Sequence, residues 1–203
     1  MINLLSWQEY RTRVREISTR CVELPAAKLL EKLGLSPNQL TIIGLLLSVA
    51  SAYLLTIGEF VVGGIILMMA SALDMADGSL ARLQGRASAV GALLDSTVDR
   101  VSEAVIFLGL LLFYININSL PEELLIFMAL TSSFMVSYLR ARGEGLGVDC
   151  KVGVMTRPER VVVLAAGLLI NQVLIALGII SVLAFFTAIH RFWHIQNELS
   201  KRQ

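Results

Sequence analysis

Hydrophobic positions along the chain come in long blocks, not in the short runs of a soluble core. From Leu40 to Gly58 no charged residue occurs, a stretch long enough to cross a bilayer once. A second block runs from about Phe60 to Leu80 and a third from about Ala87 to Tyr114. Residues 115–123, with a proline and two asparagines, read as a short loop before a fourth block at Leu124–Arg142. Residues 143–156, with four glycines and three charges, read as a longer loop. Pro158–Ile170 and Val173–Gln196 make a final pair around Asn171-Gln172. Ser36-Pro37 marks the entry to the first block, a capping serine followed by proline in the first turn. Upstream, Trp7, Tyr10, Val14, Ile17 and Cys21 recur at helical spacing, with Arg11, Arg13, Arg15 and Arg20 outside their stripe. That arrangement suits an amphipathic helix lying on a membrane surface. The pattern predicts an all-α fold: an integral membrane bundle of six transmembrane helices (residues 35–203) behind an amphipathic juxtamembrane segment (residues 1–34).

Composition agrees with the blocks. Charged residues are 16% of the chain and hydrophobic ones 56%, where a soluble domain carries about a quarter charged. Mean hydropathy is +0.73. The charges also orient the spans. All 17 Lys and Arg residues lie in the N-terminal segment, between blocks two and three, between four and five, at the C-terminus, or toward those ends of the spans. The opposite loops, around Glu59, Glu122-Glu123 and Asn171, have none. Six spans with both termini in the cytoplasm of a cell membrane satisfy the positive-inside rule. A net charge of +1 points to no nucleic-acid partner. The two cysteines, Cys21 and Cys150, are far apart and read as bystander thiols.

Against this background four acids stand out. A carboxylate inside a span costs roughly 2.5–3.5 kcal/mol on insertion scales, and here Asp74, Asp77, Asp95 and Asp99 fall in two consecutive spans. On a helix, Asp74, Asp77, Gly78, Ala81 and Arg82 share an arc of roughly 140°, and Ser88, Gly91, Asp95 and Asp99 share a narrow stripe. If the two helices form a hairpin turning near Arg86, Asp77 and Asp95 stand level with each other, as do Asp74 and Asp99. Four ionised carboxylates so placed repel one another, so either some are protonated or cations neutralise them. All-oxygen ligation suits a hard ion, Mg²⁺, Mn²⁺ or Ca²⁺. Gly78 and Gly91 leave room for a ligand or a neighbouring helix, and Arg82 offers a planar cation to phosphate oxygens. Two other readings fit less well. Salt bridges to Arg82, Arg86 and Arg100 do not need four acids on two facing stripes. A cation transporter needs charges that continue across the span, and none lies beyond Glu103.

The register of these residues, D-x2-D-G-x2-A-R-x8-G-x3-D-x3-D from Asp74 to Asp99, resembles the signature of the CDP-alcohol phosphotransferases. The resemblance extends to the six-helix layout, the amphipathic N-terminal helix and the Pro37-Asn38-x-x-Thr41 entry. It implies that the hydroxyl of an acceptor alcohol attacks the lipid-linked phosphate of a CDP-activated lipid and that CMP leaves. It also implies that Asp74, Asp77 and Asp95 ligate Mg²⁺ or Mn²⁺, with Asp99 at the metal and acting as general base. Asp74, Gly78, Ala81 and Arg82 would hold the nucleotide, with Asn38 and Thr41 nearby. A homodimer is expected from the family alone.

The acceptor is read from a cluster of cations. Arg140, Arg142, Lys151, Arg157 and Arg160 gather after the fourth block, where they would hold a phosphorylated polyol and repel choline or ethanolamine; Lys151 reads instead as a positive-inside topology charge. Arg157 and Arg160 stand one turn apart at a helix start, which is itself an anion site. Ser137–Glu144 and Val152–Arg160 are similar to segments of the phosphatidylinositol-phosphate synthase branch and its archaeal counterparts. Glycine at Gly143, threonine at Thr156 and proline at Pro158 depart from that pattern. On this resemblance Arg140, Arg157, Arg160 and Arg191 bind inositol phosphate, and the donor is CDP-diacylglycerol or CDP-archaeol. Glycerol 3-phosphate is the alternative acceptor.

Overall fold

A computed structural model of the chain describes residues 24–32, 34–85 and 88–202. The surface-helix reading of Trp7–Cys21 and the hairpin turn at Arg86 lie outside those residues. Among them every regular element is a helix: α1 (Leu24–Lys32), α2 (Pro37–Thr56), α3 (Phe60–Leu83), α4 (Ala89–Asn116), α5 (Leu120–Gly145), α6 (Arg157–Leu169) and α7 (Val173–Ser200). α2 to α7 fall on the six expected blocks. Four of them, α2, α3, α5 and α7, are long and apolar enough to cross a membrane. α4 is long but carries Asp95, Asp99, Arg100 and Glu103, and α6 has only 13 residues. Large apolar side chains such as Leu46, Val62, Phe127 and Phe186 stand exposed, as a surface facing lipid requires.

Both ends of α5 differ from the sequence reading. Glu122 and Glu123 lie in the first turn of α5 rather than in a loop, because Pro121 sits at the helix start and two acids favour the positive end of the dipole. Ser119 Oγ donates to the Glu122 carboxylate. At its other end α5 continues through Gly143 and Gly145.

Helix ends follow a common device. Asn118 and Asn171 adopt positive φ, 54° and 55°, just past α4 and α6. In each case the next residue bonds back five positions, Ser119 N–H to Tyr114 O and Gln172 N–H to Gly167 O. This is the Schellman closure, with asparagine where glycine is commonest. Gly58 (φ 84°) closes α2 in the same way, with Glu59 N–H bonded to Leu54 O.

The chain divides into two units. The first comprises the residues up to Leu45 together with Ala70–Asp99. In it Ala27, Leu40 and Leu80 form a small apolar centre, and Gln84 Nε2 donates to Leu35 O. The second comprises Leu46–Met69 and Arg100–Gln203. Its main core contains Leu55, Phe107, Leu110, Ile126, Leu168 and Leu177, all nearly inaccessible. α2 and α4 approach closely there: a Cβ on Gly109 would stand 2.4 Å from Ala52 O. Ser51 Oγ donates to Gly63 O at 2.8 Å, which ties α2 to α3.

The loop after α5 is fastened to α7. Val148, Cys150 and Met155 pack with Ala184 and Ile195, so Cys150 is a core residue and burial pushes its thiol pKa up. Thr187 Oγ1 accepts from Met155 N–H, Arg191 Nε donates to Val152 O, and Arg202 Nη2 donates to Gly147 O. Gly153 has φ 109°, and a Cβ there would meet Thr187 Cγ2 at 2.3 Å.

Because the α2–α4 crossing leaves no space at Gly109, Gly109→Ala is expected to destabilise the protein by about 1–3 kcal/mol. Gly145→Ala, with nothing within 4 Å of the added carbon, is expected to be silent. Thermal melting of the two variants in detergent checks this pair.

Candidate active site

The first unit gathers the acids. α2 begins with a capping box: Ser36 Oγ accepts from Gln39 N–H, and Gln39 Oε1 accepts from Ser36 N–H at 2.8 Å. This cap sets the first turns of α2, which carry Asn38 and Thr41. Thr41 Oγ1 lies 2.8 Å from Asp77 Oδ2 and 3.2 Å from Pro37 O, and its single proton serves the nearer carboxylate. Both Thr41 and Asp77 are buried. Asp74 and Asp95 act on Asp77 as like-charged neighbours.

α4 begins at Ala89 behind Ser88, whose Oγ accepts the Gly91 N–H at 3.0 Å. A Cβ on Gly91 would come within 3.2 Å of that oxygen and 4.0 Å of Asn38 Oδ1, so the glycine keeps this approach open. One and two turns on stand Asp95 and Asp99. Carboxylate oxygens of Asp74, Asp95 and Asp99 lie within 4.8 Å of one another. Oxygens bound to one hard cation at about 2.0–2.6 Å are at most about 5 Å apart, so these three fit a single divalent ion. Asp99 Oδ1 is sealed from solvent. Asp77 is not part of that triplet; Thr41 holds it beside the other acids. Arg82 folds back so that Nη2 donates to Ser79 Oγ at 2.8 Å, and Gly78 leaves space beneath it. Asn38, Thr41, Asp74, Gly78, Ala81 and Arg82 thus all belong to the unit that holds the acids.

The four arginines expected at the acceptor belong to the second unit. They differ in setting. Arg140 Nε donates to Glu144 Oε1 at 2.9 Å, both side chains about half exposed. Arg157 is the first residue of α6. Arg191 is buried and donates to Val152 O and Val136 O. Arg160 is buried against Glu103, with Nε 2.7 Å from Oε1 and Nη2 2.9 Å from Oε2. Sequence reasoning assigned Glu103 no partner. Its one signal was an acid in an apolar helix, which demands a cation without saying which.

Comparison with known proteins decides the family. A profile for CDP-alcohol phosphatidyltransferase matches residues 34–193. The archaetidylinositol phosphate synthase of Pyrococcus horikoshii is 37% identical over 173 residues, covering 85% of this chain and 89% of that protein. The crystal structure of Mycobacterium tuberculosis phosphatidylinositol phosphate synthase with CDP-DAG bound superposes with a TM-score of 0.78. That chain is 29% identical, and the match covers 86% of this chain and 93% of that one. A second structure of the M. tuberculosis enzyme, in complex with manganese and citrate, gives the same score over 86% and 89% of the two chains. The chain belongs to the CDP-alcohol phosphatidyltransferase family.

It is therefore a transferase of phospholipid biosynthesis, and with four apolar helices it is a multi-pass membrane protein. The acid cluster, together with the manganese in the second M. tuberculosis structure, points to divalent-metal dependence in this family. In this phosphatidyltransferase Thr41, expected only near the nucleotide, donates directly to an acid of the signature. Thr41→Val removes that bond and leaves the shape. If Asp77 joins the metal site, as the signature implies, losing the partner that orients it weakens metal affinity roughly 10- to 100-fold. The Mn²⁺ concentration for half-maximal activity is expected to rise by about that factor, and an unchanged Mn²⁺ dependence would show that Thr41 does not orient the site.

Proposed function

We propose that this phosphatidyltransferase moves a phosphatidyl or archaetidyl group from a CDP-linked lipid to inositol phosphate. A hydroxyl oxygen of the acceptor bonds to the lipid-linked phosphorus, the bond from that phosphorus to the bridging oxygen breaks, CMP carries that oxygen away, and the hydroxyl proton goes to a base. Phosphoryl transfer of this kind depends on positioning and on neutralising charge more than on covalent chemistry by the protein. The observation that carries the reading is the convergence of Asp74, Asp95 and Asp99 in the register of the signature.

In this reading Asp74, Asp77, Asp95 and Asp99 would hold Mg²⁺ or Mn²⁺, which when bound would neutralise the diphosphate. Asp99, at the deep end of the acid stripe, takes the hydroxyl proton. Arg82 meets phosphate oxygens of the nucleotide, with Gly78, Ala81, Asn38 and Thr41 around it. Arg140, Arg157 and Arg191 supply the positive field for the acceptor's phosphate. The similarity to the Pyrococcus synthase supports an inositol phosphate acceptor. The donor lipid is of the diacylglycerol or archaeol type. The positive-inside distribution supports six spans, both termini in the cytoplasm and an active site at that face. The start of the family match at residue 34 supports a division into a juxtamembrane segment (1–34) and a catalytic domain (35–203).

Purified protein in detergent with Mn²⁺ and either CDP-diacylglycerol or CDP-archaeol is expected to release CMP with inositol phosphate and not with glycerol 3-phosphate. Asp99→Asn is expected to lower that rate about 10²- to 10⁴-fold, the usual share of a general base. CMP release with glycerol 3-phosphate alone would replace the acceptor. If neither acceptor yields CMP, the transferase reading of the site fails.

A further inference from the structure

The pair between Glu103 of α4 and Arg160 of α6 reassigns one of the arginines. Sequence reasoning counts Arg160 among the cations that meet the acceptor's phosphate, yet its guanidinium is spent inside the protein. Its side chain is 2% exposed and that of Glu103 10%. Two parallel bonds, 2.7 and 2.9 Å, occupy Nε and Nη2, and Nη1 lies 3.4 Å from Met155 O. Such a fork-to-carboxylate pair is geometrically specific. The bond to Met155 O reaches the residue just before Thr156, which stands at the N-cap position of α6 and donates its hydroxyl to Glu159 in the first turn. Arg160 therefore grips both the first turn of α6 and the end of the loop leading into it, with Arg157 between the two.

We propose that Glu103 and Arg160 are positioning residues for the acceptor site: together they fix the loop end and the start of α6, and so the place of Arg157, while Arg160 itself touches no phosphate. The functional half of this rests on the inositol phosphate reading above. Three of the five Arg160 N–H groups are engaged by Glu103 and Met155 O, and at 2% exposure the remaining two are buried with the rest of the side chain, out of reach of a phosphate in an open site. Glu103 is equally bound to this role. An acid there without its arginine is an uncompensated charge in an apolar core, and the same holds for the arginine alone.

The test compares Glu103→Gln, Arg160→Met and the double variant Glu103→Met/Arg160→Met in the full chain. The readouts are thermal midpoint in detergent and the KM for inositol phosphate. Breaking one side of a buried pair is expected to lower the midpoint by roughly 10 °C in Arg160→Met, and by less in Glu103→Gln, which keeps some hydrogen bonding. In both single variants KM is expected to rise about tenfold or more, since a misplaced anchor weakens binding without loss of the anchor itself. The double variant, an apolar pair of similar volume, is expected to regain most of the midpoint and most of the KM. A ligand role for Arg160 predicts another pattern: KM normal in Glu103→Gln, raised in Arg160→Met and as high in the double variant. That result would overturn the proposal. If the wild type itself shows no CMP release with inositol phosphate, the substrate reading has failed. The midpoints then still decide the pairing: recovery in the double variant supports it, and no recovery rejects it.

Discussion

Everything distinctive about this chain depends on bringing carboxylates together inside apolar helices. Acids so placed repel one another and lose hydration, so the arrangement is tolerable only if some stay protonated or a cation joins them. Asp74, Asp95 and Asp99 satisfy the geometric condition for one hard ion, with oxygens within 4.8 Å of one another. Around them the helix ends are built for approach rather than for packing. Ser36 and Ser88 cap α2 and α4, Gly91 leaves the space before Asn38 open, and Thr41 turns its hydroxyl onto Asp77. The same feature that makes the site unfavourable to assemble makes it useful, because a nucleoside diphosphate needs concentrated positive charge beside a base.

The second unit solves the opposite problem, which is to hold helices together where lipid offers no hydrophobic drive between them. It does so by close backbone approach and by polar groups satisfied internally. Gly109 lies against Ala52, Ser51 reaches Gly63, and Ser181 donates to main-chain carbonyls, with Leu125 O and Leu177 O both in range. Three of its arginines are held the same way. Arg160 is matched to Glu103, and Arg191 and Arg202 bind the loop that precedes α6. The loop that the composition marks as glycine-rich and polar is in fact fastened along α7.

How much of this is legible in the sequence depends on whether a feature is local. Helices, caps and the aspartate register are set by residues near one another along the chain, and the helix bounds match the structure within a few residues. The asparagines at 118 and 171 read as loop markers, and the structure gives the reason, a left-handed helix closure. What the sequence does not disclose is pairing at long range. Glu103 and Arg160 are 57 positions apart, and nothing in either neighbourhood names the other. Arg160 therefore reads as a ligand of the acceptor's phosphate, whereas in the structure it is buried against Glu103. Cys150 likewise looks like part of a polar loop, and only the packing against α7 makes it core. Asp77 is an intermediate case: its place beside the other acids follows from helix phase, but its bond to Thr41 does not.

The central claim is that the three clustered aspartates form a divalent-metal site. It is tested most directly by titrating Mn²⁺ into the purified full-length protein and following the free-ion signal by electron paramagnetic resonance. The wild type is expected to bind Mn²⁺, and Asp74→Asn, Asp95→Asn and Asp99→Asn are each expected to bind it far more weakly at unchanged melting temperature. Equal binding by the wild type and all three variants, or none by any of them, would contradict the account.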